Sequence, residues 1–90
     1  MNWIEIIELR SYRFKPETLR ELKQTIVESE RDRGLRVFEV YHNLYIETDT
    51  GIHIHWKTRE GRIKKSSLGL RIASALRDFG HVNHTIWVED

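Results

Sequence analysis

Residues 48–57, TDTGIHIHWK, decide the fold, because a turn signal leads into a strand in which apolar residues and histidines alternate. The composition of residues 49–51 favours a three-residue hairpin loop in which Gly51 takes a positive φ. Side chains of the strand after this loop alternate between the two faces of a sheet. One face is predicted to be core and carries Ile52, Ile54 and Trp56. The other face carries His53 and His55.

The segment before the loop, residues 35–48, is predicted to be the partner strand. The loop sets the register, so that Glu47 faces His53 and Tyr45 faces His55. Because this strand is long, we expect a bulge near residues 42–43. The residues that share the core parity are Phe38, Val40, Leu44 and Ile46.

Two further segments have the apolar periodicity of amphipathic helices. The first begins at Pro16, whose fixed φ suits the first helical position, and ends before Gly34. Ser66 or Ser67 is the predicted cap of the second, and Gly80 ends it. The predicted buried stripe of the first helix is Leu19, Leu22, Ile26 and Val27. That of the second is Leu68, Ile72, Ala75, Leu76 and Phe79.

The apolar segments at residues 3–9 and 82–89 are predicted to be the first and the last strand along the chain. The order is therefore βαββαβ. Such an order packs as a four-stranded antiparallel sheet with two helices on one face, the ferredoxin-like α+β fold. Residues 1–90 are expected to form a single domain of this kind. His84 shares the parity of Val82 and Ile86, which predicts a partly buried, hydrogen-bonded histidine.

Composition limits the class of protein. With 39% hydrophobic and 32% charged residues, the chain is expected to be globular and soluble rather than disordered. It contains no cysteine, which excludes disulfides and thiolate metal sites and suits a reducing compartment, so we expect a cytoplasmic protein. No segment has the character of a signal peptide or a membrane span, and no membrane partner is expected.

The two helices can cover only one face of the predicted sheet. The other face is expected to expose aromatic residues, of which Tyr41, Tyr45 and Trp87 are the candidate interface residues. A contiguous apolar and aromatic face on a small domain usually binds a partner or a ligand. We therefore expect a homodimer that pairs through this face, since symmetric dimers are the most common oligomers.

The size, element order and uncovered sheet face resemble the small dimeric α+β-barrel proteins, the group that contains the antibiotic-biosynthesis monooxygenase-like domains. Residues 54–57, Ile-His-Trp-Lys, are similar to the tryptophan-bearing strand of that group. The resemblance implies sheet-to-sheet dimers with a small-molecule pocket between sheet and helices. The group includes cofactor-free oxygenases, haem-degrading enzymes and proteins without a known reaction. It therefore assigns neither a catalytic residue nor a cofactor to this chain.

The histidines of the central strand are candidate site residues. His53 and His55 leave the same face, and Glu47 as a third ligand would complete the set of a non-haem iron or zinc site. Surface or interface histidines are the simpler interpretation, and we assign no metal. His55 beside Tyr45 is the candidate pair for acid–base chemistry in a pocket for a small apolar molecule. Whether the chain is an enzyme stays open, and a structural protein-interaction module without chemistry is a further alternative.

The segment from Lys57 to Arg77 holds seven Lys or Arg residues against Glu60 alone, although the net charge of the chain is only +1. Lys64, Lys65 and Ser66 precede a helix and can bind an anion through free backbone N–H groups. A solvated loop is the alternative, and the sequence is not a P-loop. RNA binding by the basic segment is a further alternative, but the strands lack the glycine–aromatic signature of RNA-recognition sheets.

Overall fold

A computed structural model describes residues 1–59 and 61–90 of the chain. Four strands and two α-helices alternate in the predicted order, with a 3₁₀ turn at Arg31–Arg33 after the first helix. The strands are β1 (Asn2–Arg10), β2 (Leu35–His42), β3 (Asp49–Lys57) and β4 (His81–Val88). The helices are α1 (Glu17–Glu30) and α2 (Ser67–Leu76). This order confirms the βαββαβ prediction.

The strands form one sheet in the order β2-β3-β1-β4, and every neighbouring pair is antiparallel. Helix α1 packs on β2, and α2 packs on β1 and β4. The predicted ferredoxin-like α+β architecture is confirmed by this topology. Neither helix has the length and apolar character needed to cross a membrane, as far as residues 1–59 and 61–90 are concerned.

The core lies between the sheet and the helices. Alternation along each strand turns one set of apolar side chains toward α1 and α2, and burial of these side chains supplies most of the stabilisation. From the sheet, this set includes Trp3, Ile7, Leu9, Phe38, Ile52, Ile54 and Trp56. From the helices, it includes Leu19, Leu68, Ile72, Ala73 and Leu76.

The predicted hairpin loop at residues 49–51 is wrong, because these residues are the start of β3 and the loop spans residues 43–48. Arg10 holds Asp49 in the strand through a salt bridge of 2.7 Å. The loop is folded by Asn43, whose Oδ1 accepts hydrogen bonds from the N–H groups of Tyr45 (2.8 Å) and Ile46 (3.0 Å). An asparagine that binds the backbone two residues on is a turn former. Gly51 lies in β3 and does not take the predicted positive φ.

Because the loop lies at residues 43–48, every residue pair between β2 and β3 differs from the predicted pair. Glu39 lies opposite His53, where Glu47 was predicted, and Val37 lies opposite His55, where Tyr45 was predicted. Both shifts are of eight residues, an even number, so the predicted faces of β3 are right although the partners are wrong. The register irregularity of β2 lies between Leu35 and Val37 rather than at residues 42–43.

Some predicted core residues lie at the surface. Leu44 and Ile46 belong to the loop and are exposed, and Leu22 on α1 is 47% exposed. Ala75 is exposed on α2, and Phe79 lies beyond the end of that helix. The predicted cap of α2 is confirmed at Ser66, whose Oγ accepts a hydrogen bond from the N–H of Gly69 at 2.9 Å. Gly34 follows the 3₁₀ turn with φ 103°, as expected for a glycine that ends a helix.

Candidate functional site

The face of the sheet away from the helices, which we call the open face, consists of side chains in rows across the strands. One row is largely apolar and runs Trp87, Ile4, His55, Val37 from β4 to β2. The next row is mixed and runs Thr85, Ile6, His53, Glu39. Trp87 is 59% exposed and Tyr41 49%, so the aromatic side chains of this face project from it. A groove of about 430 Å³ crosses the apolar row between Val37 and Trp87.

The structure brings only part of the predicted histidine site together. His53 and His55 both lie on the open face, whereas Tyr45 is 89% exposed in the loop and Glu47 lies in the same loop. Within residues 1–59 and 61–90, no group of three or more His, Asp or Glu side chains is arranged to hold a metal ion. Tyr41 instead packs its ring edge-on against His53, with centroids 4.7 Å apart.

The environment of His53 disfavours its charged form. Partial burial is the main cause that lowers the pKa of His53 from its ordinary value of 6.5, and the neighbouring His55 lowers it further. The carboxylate of Glu8 acts in the opposite direction. The open face is therefore uncharged at this histidine near neutral pH.

A buried carboxylate on the helix side was not predicted from the sequence. Glu5 is 0% exposed and accepts hydrogen bonds from three donors of β3 and the α2 start. Trp56 Nε1 and Ser66 Oγ donate to Oε1 at 3.1 Å and 2.6 Å, and the Ser66 N–H donates to Oε2 at 3.0 Å. Glu5 thus occupies the N-terminus of α2, where a negative charge is favourable. Its parity with Trp3 and Ile7 was the signal in the sequence.

His84 completes this cluster. Its side chain is buried and hydrogen-bonded, as its parity predicted. Its Nε2 lies 2.7 Å from Oε2 of Glu5, and its Nδ1 is buried with no hydrogen-bond partner among residues 1–59 and 61–90. A Cβ at Gly69 would overlap the Glu5 carboxylate, so only glycine lets α2 approach so closely. These hydrogen bonds join the sheet to the start of α2.

A cleft on the helix side of the sheet, which we call the helix-side cleft, has a volume of about 1030 Å³. One part of its lining is the 3₁₀ turn and the start of β2, and another is the segment before α2. Trp3 and Trp56 line it and stack on each other, with ring centroids 5.6 Å apart and planes at 17°. Trp3 Nε1 donates to Thr58 Oγ1 at 2.9 Å, which fixes the first indole.

Cationic side chains dominate the lining of the helix-side cleft. Six of them are Arg31, Arg36, Lys57, Arg59, Arg62 and Lys64. The buried carboxylate of Glu30 accepts hydrogen bonds from Arg33 at 2.7 Å and Arg71 at 3.4 Å. Of the predicted anion-binding residues, Lys64 and Ser66 line the cleft, although the Ser66 N–H is already bound to Glu5. The arrangement can attract and hold a negatively charged molecule.

Comparison with known proteins assigns a fold but no family. No protein-family model matches the sequence, and no curated protein matches it either. Among solved structures, the chain is similar to Rv0793 from Mycobacterium tuberculosis, with a TM-score of 0.63 over 100% of this chain and 96% of that one. The two sequences are only 14% identical, so the similarity is one of fold. This small domain is therefore a ferredoxin-like α+β protein with a solved structural counterpart.

Proposed function

We propose that this chain is a homodimeric small-molecule-binding domain. Two copies pair through their open faces, and each holds a ligand in its helix-side cleft. The observation that carries the proposal is that one sheet has an uncovered apolar row on one side and a cavity of about 1030 Å³ on the other. The proposed activity is binding, and no reaction is assigned.

The composition of the open face supports a second copy as its partner. Ile4, Val37 and Trp87 form a largely apolar row that His55 interrupts between Ile4 and Val37, and a copy of the same row can cover it. Four strands spaced about 4.8 Å apart and about 27 Å long present roughly 500 Å² in projection. Side-chain relief increases this area toward the roughly 800 Å² per partner of standard interfaces.

The charges of the open face also suit pairing with itself. Arg10 is bound to Asp49 at 2.7 Å, and Glu39 is bound to Lys23 at 2.7 Å. Because these four charges are paired within one chain, they add little repulsion when two identical faces meet, and Glu8 is left as a carboxylate of this face without an ion pair among the described residues. This property favours a like partner over a strongly charged one.

The helix-side cleft supports the ligand-binding part of the proposal. Its volume lies at the upper end of the roughly 300–1,000 Å³ range of small-molecule sites. Trp3, Trp56 and Leu68 give it an apolar part, as the predicted small apolar ligand requires. The groove beside His55 is a second apolar surface, but a partner copy would cover it.

Sedimentation equilibrium over a wide range of concentrations tests the dimer. We expect a dimer for the unmodified chain and mostly monomer for Trp87→Lys, because the lysine places a charge in the apolar row. Leu70→Lys is the matched control, since Leu70 is 50% exposed on α2 and outside the open face. The proposal fails if the unmodified chain is a monomer at high concentration, or if Trp87→Lys and Leu70→Lys have the same effect.

A further inference from the structure

We infer that the ligand of the helix-side cleft is an organic anion with an apolar, ring-bearing body, whose carboxylate, sulfonate or phosphate group is bound between Arg36 and Arg62. This inference rests on the proposed function, since it names the ligand class of the same cleft. It is carried by the charge, the backbone and the depth of the cleft.

The charge of the cleft is strongly one-sided. Among the described residues that line it, seven are Lys or Arg, whereas Glu30 and Asp32 are the only acids. Glu30 has both of its oxygens bound, one by Arg33 and the other by Arg71, which lies outside the lining. The lining Lys and Arg residues other than Arg33 are not paired with Glu30. Their positive charges add up to a positive potential in the cleft, which favours an anionic ligand.

The backbone places Arg36 on the edge strand β2, where it lines both the helix-side cleft and the groove of the open face. The register shift of β2 lies between Leu35 and Val37, so Arg36 leaves the alternation of the strand. Bulges re-aim side chains in this way and are common beside binding sites. In the described part of the chain, the guanidinium of Arg36 donates only to the Leu35 carbonyl, at 3.5 Å. That contact is too long to be a strong hydrogen bond. The N–H groups of the Arg36 guanidinium can therefore bind a planar or tetrahedral oxyanion.

Arg62 also lines the cleft and belongs to the segment before α2, whereas Arg36 belongs to β2. An anion between the two arginines would neutralise charge from both segments at once. The stacked indoles of Trp3 and Trp56 line the same cleft at a buried position, and their edges offer an apolar contact for a ring system. The site thus combines a cationic rim with an apolar floor, which matches an amphipathic anion.

The depth of the floor favours a small molecule over a nucleic-acid strand. Trp3 is 3% exposed and Trp56 is 4% exposed. Proteins that bind single strands use exposed aromatic side chains on which successive bases stack. Two indoles that are almost closed to solvent can contact the edge of one ligand, but they cannot form a platform for a strand.

Fluorescence titration with two matched dyes tests the inference. The probes are 8-anilinonaphthalene-1-sulfonate, an anion, and N-phenyl-1-naphthylamine, its neutral analogue. We expect the anion to bind the unmodified chain more tightly than the neutral dye. In Arg36→Gln/Arg62→Gln the affinity for the anion should fall about tenfold or more, because one charge-assisted hydrogen bond contributes roughly that factor. The affinity for the neutral dye should not change.

Arg20→Gln/Arg77→Gln is the control, because it removes the same charge from exposed positions outside the cleft. It should bind both dyes like the unmodified chain. Equal affinity for the two dyes, or equal losses in the two double variants, would overturn the anion inference and leave ligand binding intact. Failure of both dyes to bind would overturn the ligand part of the proposed function as well. Tighter, steeply salt-dependent binding of single-stranded oligouridylate would overturn the inference in favour of RNA.

Discussion

His84 Nε2 lies 2.7 Å from Glu5 Oε2, and this buried contact links β4 to β1 beneath helix α2. The same carboxylate accepts hydrogen bonds from Trp56 on β3 and from Ser66 at the start of α2. One side chain therefore connects three strands and a helix. Buried polar groups are costly to leave without a hydrogen-bond partner, so substitutions in this cluster should have large effects on stability.

Glu5→Gln should lower the free energy of unfolding by about 3 kcal/mol, because an amide cannot accept from all the donors that the carboxylate binds. Urea denaturation followed by circular dichroism measures the change. Glu8→Gln is the control, since Glu8 lies on the same strand and is exposed. Equal losses in the two variants would show that the cluster does not stabilise the fold.

Gly69→Ala should also destabilise the protein, by about 1–3 kcal/mol, because the added methyl group overlaps the Glu5 carboxylate and forces α2 away from the sheet. This direction is opposite to the usual gain of a helical glycine-to-alanine change. Ser74→Ala at an exposed position of α2 supplies the comparison and should be neutral or slightly stabilising. A Gly69→Ala variant that is as stable as the unmodified chain would contradict the close packing of α2.

The open face should make stability depend on pH through His53. Partial burial lowers its pKa in the folded chain below the ordinary 6.5, so the unfolded chain binds the proton more tightly. The contribution of His53 is therefore complete above pH 6.5 and declines as the pH falls from 6.5 through the lowered folded pKa. Melting temperatures between about pH 7.5 and about pH 5 should fall less for His53→Gln than for the unmodified chain.

His81→Gln, at an exposed position of β4, is the matched variant for this measurement. It should retain the full pH dependence of the unmodified chain. Identical slopes for His53→Gln and the unmodified chain would refute the assignment to His53.

Asn43→Ala tests the hairpin loop. The variant loses the side-chain oxygen that accepts from the N–H groups of Tyr45 and Ile46, and it should be less stable by about 1 kcal/mol. Hydrogen exchange of these two amides should become faster. Thr50→Gly is the comparison: Thr50 is buried in β3, so this variant should also lose stability, but it should leave the exchange of the Tyr45 amide unchanged. A Thr50→Gly variant as stable as the unmodified chain would indicate that residues 49–51 form a loop.

Face assignments followed from the sequence more securely than strand partners did. Alternation identified the core side of β3 and the burial of His84, because parity depends only on neighbouring residues. The register depended on where the chain turns, and the apolar Leu44 and Ile46 made the loop resemble a strand. Asn43 was the local signal for the true turn, but side-chain capping of the backbone depends on a conformation that composition does not show.

The helix-side cleft was harder to predict because it is built from parts that are distant in sequence. Arg36 and Arg62 belong to segments that meet only when β2 and β3 pair and α2 folds back on the sheet. The excess of cations between Lys57 and Arg77 pointed to one wall of the cleft. The other wall arises from a bulge, which hydrophobic alternation does not reveal.

The placement of the three tryptophans gives each side of the sheet its own optical reporter. Trp3 and Trp56 are close enough for their indole transitions to couple, which should produce a paired signal in the circular dichroism spectrum. Trp87 stands alone on the opposite side, so its emission should respond to changes there. Replacing Trp87 with phenylalanine would leave a chain whose remaining emission originates from the cleft, and a spectrometer could then follow occupancy and assembly as separate events.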